Sequence, residues 1–139
     1  MEIRTPARSS KYYLPKQKFL TVYHYCLQYR EWKDALDSMV EVGAVTYDGM
    51  PRGSGTGDRT SSDAIKRAEI ETKMKMVEDA VRDADSGIYK WLLKGVTENM
   101  PYKYLRTIMG IPCGHNRYFE ARRRFYWLMA ARMDTWITG

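Results

Sequence analysis

Arg117, Arg122, Arg123 and Arg124 place four guanidinium groups within eight residues, directly after the turn Gly110-Ile111-Pro112-Cys113-Gly114. A guanidinium is a planar fork of donors that matches phosphate oxygens and the O6/N7 edge of guanine. Asn116 adds an amide of the kind that pairs with adenine, and Lys103 and Arg106 stand on the short segment before the turn. Two helices joined by a glycine turn, the second one basic, is the sequence form of a helix-turn-helix whose second helix enters the DNA major groove. On this reading His115, Asn116, Arg117, Glu120, Arg123 and Arg124 face bases or phosphates, with Arg117 directed at guanine. Arg122, Lys103 and Arg106 contact phosphates. The plainer alternative is a solvated basic surface helix.

A reading helix must be held by a buried one-sided stripe. Tyr118, Ala121, Phe125, Leu128 and Met129 recur at spacings of three and four, which predicts one apolar face packed on Leu105 and Ile108. Pro101 suits the start of the preceding helix, in which Tyr104, Leu105 and Ile108 are expected to face inward, with Gly110 closing its end. The last helix is expected from about His115 to Asp134, with its guanidiniums outward and its aromatic side buried.

Upstream, residues 1–11 read as a polar tail carrying Arg4, Arg8 and Lys11. From Pro15, the spacing of Phe19, Val22, Tyr23, Cys26 and Leu27, continued by Trp32, Leu36, Met39 and Val40, predicts a helix or helical hairpin ending by Gly43, with a break near Tyr29-Arg30. Residues 1–42 thus form an N-terminal helical module. Residues 43–60 hold five of the ten glycines and Pro51, which predicts a flexible linker. Residues 61–139 carry a long helix to Asp85, capped at its start by Asp58, Thr60 or Ser61, and then the helix-turn-helix. In the long helix, Ile65, Ala68, Thr72 and Met76 form one apolar line, and Ile70, Met74, Val77, Val81 and Ala84 the next. Glu69 with Lys73 and Glu71 with Lys75 are spaced as surface ion pairs. The fold class is all-α.

Charge separates the C-terminal third from the rest. Residues 99–139 carry seven Lys/Arg against two Asp/Glu, whereas residues 60–98 carry seven against eight. Phosphate neutralisation needs cations where the reading helix lies. Two cysteines, Cys26 and Cys113, are too few for a disulfide scaffold and fit a reducing cytoplasm. No signal-peptide core or run of 18 apolar residues is present, so a location inside the cell, away from the membrane, is expected. His24-x-Cys26 and Cys113-x-His115 have the ligand types of a zinc site but not its usual spacing, so no metal or other cofactor is expected. Two histidines and no clustered carboxylates argue against an enzyme, and Gly53-x-Gly55-x-Gly57 lacks the lysine of a phosphate loop.

The chain resembles the phage-encoded transcriptional regulators of the RinA/ArpU type. The resemblance rests on Tyr29-x-x-Trp32-Lys33, on Asp48 to Thr60 (DGMPRGSGTGDRT), on the long charged helix, and on a C-terminal unit similar to sigma-factor region 4. In that unit Met109-Gly110-Ile111 lies at the turn and Arg117 to Arg124 in the reading helix. It departs from the family at Pro112-Cys113-Gly114, where a Ser/Thr-rich cap is usual. The resemblance implies sequence-specific binding of double-stranded DNA that regulates phage or prophage late-gene transcription in the cytoplasm of a bacterial host. Host RNA polymerase and a second copy of the chain are its implied partners. Two alternatives stay open: a small-terminase-like subunit that recognises DNA for packaging, and a protein-interaction module whose arginines meet an acidic partner.

Overall fold

Pro15, with its fixed φ and missing N–H, stands immediately before the first helix and accepts Phe19 N–H at 2.9 Å. Helix α1 spans Lys16–Leu27, α2 Tyr29–Thr46, α3 Thr56–Asp85, α4 Tyr89–Thr97, α5 Tyr102–Thr107 and α6 His115–Thr138, with a 3₁₀ turn at Ser86–Ile88 between α3 and α4. This computed structural model describes residues 5–46 and 56–138, and no strand occurs among them. The fold is all-α. No described helix is long and apolar enough to cross a membrane.

The core is built where the apolar stripes meet. Phe19, Val22 and Cys26 of α1, Val77 and Val81 of α3, Leu92 and Val96 of α4, Leu105 of α5, and Phe125 and Met129 of α6 are all fully buried. Helix α6 is the central element and lies against α3, α1 and α4. Polar clasps at its edges add Lys18 to Asp134 and Arg132 to Asp83. Phe19 meets Tyr126 edge-on at 4.9 Å, an arrangement that adds to simple burial.

Several expectations are corrected. Residues 5–14 do not form a free tail: Pro6 and Leu14 are buried, and Tyr12 packs against Trp127 with ring centroids 5.8 Å apart. Arg4 lies outside the described residues. Helix α2 continues past Gly43 to Thr46, and α3 begins at Thr56, so Asp58, Thr60 and Ser61 fall inside a helix rather than capping one. The remainder of the glycine-rich stretch, 47–55, lies outside the described residues, as does its Arg52. Helix α3 also pairs its charges differently. Arg67 reaches Glu71 and Lys75 reaches Asp79, while Lys73 lies over the Trp32 ring. Of its two apolar lines, Val77, Val81 and Ala84 are buried, but residues 62–69 are exposed on every side, with Ile65 at 61%.

Candidate nucleic-acid interface

The turn between α5 and α6 is shaped by its glycine and by two aromatic anchors. Gly110 adopts a φ of 66°, a left-handed conformation that a side chain disfavours. The chain reverses there, and Ile111 N–H returns to the Leu105 carbonyl at 3.0 Å. Trp91 Nε1 donates to the Met109 carbonyl at 2.9 Å, and Tyr102 Oη to the Cys113 carbonyl at 2.9 Å. Both ends of the turn are thereby tied to the helices around it.

This geometry exchanges two isoleucines relative to expectation. Ile111 is the buried plug, whereas Ile108 is 66% exposed and Tyr104 is exposed as well. Helix α5 has only six residues, so it offers one inward position, Leu105, and the reversal at Gly110 brings Ile111 round in place of Ile108. Tyr118, Ala121, Phe125 and Met129 are buried as the spacing predicts, and Leu128 lies at the margin.

Beneath the start of α6, Tyr118 is buried against Gly95 of α4, and its hydroxyl is pushed up to about 12 by burial. Tyr102, His115 and Phe119 complete an aromatic cluster, with His115 and Phe119 centroids 4.4 Å apart. His115 is therefore exposed but committed to ring contacts. Asn116 and Glu120 are exposed on the outer face of α6, and Lys103 and Arg106 are exposed on α5.

The arginines do not all project freely, which corrects the expectation of an outward guanidinium face. Arg117 is held by Asp85, where α3 ends: Nε donates to Oδ2 at 2.9 Å and Nη2 to Oδ1 at 3.0 Å. Arg117 holds the Asp85 carboxyl below its ordinary range, and the Gly87 N–H and nearby Arg124 act in the same direction. Arg122 is half-buried, its guanidinium 5.0 Å from the Tyr126 ring centroid. Arg123 lines a groove of about 520 Å³ between α6 and residues 5–10, together with His115, Phe119 and Arg122. Arg124 remains exposed. At about 100° per residue, three consecutive arginines diverge: Arg122 and Arg123 turn to the N-terminal segment and Arg124 to the Asp85 side.

Asp85 and Gly87 are the residues that the sequence reading missed as parts of this site. Asp85 serves locally as a cap, since its side chain accepts Gly87 N–H at 3.1 Å. Its partner lies 32 positions away, so local spacing carries no sign of it. Elsewhere, Cys26 is sealed in the core, where burial pushes its thiol up, and among the described residues no three His, Cys, Asp or Glu side chains gather as a metal site. No family model, curated protein or solved structure matches the chain.

Proposed function

We propose that the α5–turn–α6 unit is a helix-turn-helix that binds double-stranded DNA, and that the protein is a non-enzymatic regulator of phage or prophage late-gene transcription. One observation carries the reading. A turn pinned by Trp91 and Tyr102 sets α6 on an aromatic bed, while Asn116 and Arg124 of α6 and Lys103 and Arg106 of α5 are all exposed to solvent. Rigid support under a polar, cationic outer face is what groove recognition requires. The contact set is narrower than the arginine count suggests. Asn116 and Arg117 read bases, Lys103, Arg106 and Arg124 contact phosphates, and Arg122 and His115 serve chiefly the packing of α6. The late-gene role rests on the resemblance to RinA/ArpU-type regulators.

The test is selection of bound sequences from a random duplex pool, followed by titration of a selected duplex at several salt concentrations. Sequence enrichment, with affinity falling steeply between 50 and 200 mM salt, is expected. Binding without enrichment removes sequence-specific regulation, and no duplex binding removes the DNA reading in favour of an acidic protein partner.

A packaging-recognition subunit is favoured by one separate feature, the exposed turns of α3 at 62–69. A ring of copies would cover that helix, so a mass of eight to ten chains in solution selects packaging, and a monomer or dimer selects the regulator.

A further inference from the structure

We infer that Asp85 is a positioning residue that aims Arg117 at a guanine, and so sets base preference without touching DNA; this rests on the DNA-binding reading above. A guanidinium has five N–H donors. Asp85 takes one from Nε and one from Nη2, which is the side edge of the group. Of the three that remain, the outer one on Nη2 and one on Nη1 form the end-on fork, and the second on Nη1 points back along the side chain. Bidentate recognition of guanine O6 and N7 uses two donors of that end-on kind. The ion pair therefore leaves the reading edge open while fixing the plane of the group.

The aspartate is itself fixed. Asp85 has an extended backbone, with φ −166° and ψ 97°, at the point where α3 gives way to the 3₁₀ turn. Its Oδ1 accepts the Gly87 N–H at 3.1 Å as well as Arg117 Nη2. Gly87 also makes room, because a Cβ there would lie 2.6 Å from Arg117 Nη2. An unsupported arginine at the start of α6 would sample many rotamers and lose them on binding, whereas a buttressed one meets the base already oriented. A carboxylate beside a phosphate-binding face repels DNA of every sequence. Asp85 caps the turn at Gly87 and so has a structural role, and its hold on Arg117 adds selectivity at a cost in general affinity.

The experiment compares wild type, Asp85→Asn, Arg117→Ala and the double variant by pool selection, and by affinity for selected and scrambled duplexes at one salt concentration. Thermal melts run alongside. Arg117→Ala should lower preference for guanine at one position about tenfold. Asp85→Asn should lose several-fold of preference at that same position, while its affinity for scrambled duplex stays level or rises. The double variant should be no less selective than Arg117→Ala alone. Asp85→Glu, which keeps the charge but moves it outward, should also lose the preference, and selections run well below the melting temperature of each variant, so a lowered melt of either one does not block the test. Unchanged base preference in Asp85→Asn or Asp85→Glu, when Arg117→Ala has lost it, overturns the inference alone. An additional loss in the double variant also overturns it, by showing that Asp85 acts through the fold. If wild type enriches no sequence, the DNA reading itself fails and this inference falls with it.

Discussion

Replacing Gly95 with alanine tests whether α4 sets the position of α6. A Cβ at Gly95 would stand 2.0 Å from Tyr118 Oη and 3.2 Å from Cζ, where ordinary contact begins near 3.4 Å. The Tyr118 ring must then retreat by more than an ångström, and it is buried among Tyr102, Phe119 and Leu105. Overpacking of this kind costs about 1–3 kcal/mol, and removing a glycine from a helix returns about 0.5–1 kcal/mol. The net loss is therefore about 1 kcal/mol, or roughly 4 °C in Tm for a chain of this size. Tyr118→Phe removes the obstructing oxygen, after which the nearest ring atom is only about 0.2 Å too close. In urea denaturation, Gly95→Ala should destabilise the wild type but be nearly neutral, within about 0.5 kcal/mol, in the Tyr118→Phe background. Tyr118 follows Arg117 directly, so the single variant should also weaken duplex binding, and the second change should restore it. Equal costs of Gly95→Ala in both backgrounds would refute the reasoning, as would a gain in stability in the wild type.

Lys103→Ala and Arg106→Ala should each weaken binding evenly across duplex sequences and reduce the slope of log K against log salt by about 1, read from titrations between 50 and 200 mM salt. A sequence-dependent loss would show that α5 reads bases. The Asp85 carboxyl titrates below its ordinary 3.8, chiefly through its hydrogen bond from Arg117, so its contribution to stability is complete above that value and is lost as pH falls through the folded-state pKa. Denaturation from pH 6 to 2.5 should show Asp85→Asn less stable than wild type at the upper end and the two converging at the lower. A constant gap would deny the linkage. Burial raises the thiol pKa of both cysteines, but Cys26 is sealed in the core and Cys113 is partly exposed. A thiol reagent at pH 8 should therefore modify Cys113 at least about tenfold faster, with Cys26 reacting at a comparable rate only in denaturant.

Local periodicity carried the helices, because a 3.6-residue repeat is a property of adjacent residues. Pro15, Pro101 and Gly110 marked helix boundaries for the same reason, since a ring without an N–H or a residue without a Cβ acts on its own backbone. What failed depended on distant partners. Residues 5–14 are polar enough to look like a tail, and Trp127, far along the chain, gives Tyr12 a ring to pack on. Ile108 and Ile111 are indistinguishable by type, and the reversal at Gly110 decides between them. The divergence of the arginine run is legible in the sequence. Arg122, Arg123 and Arg124 are consecutive, and at about 100° per residue they cannot share one face of a helix, in keeping with Arg122 packed on Tyr126 and Arg124 exposed. Arg117 stands apart from that run at the start of α6, and its direction is set by a carboxylate on another helix. Composition can place positive charge near DNA. Holding one guanidinium in a fixed plane takes a partner from another helix, and in this chain Asp85, itself held by the Gly87 N–H, supplies it.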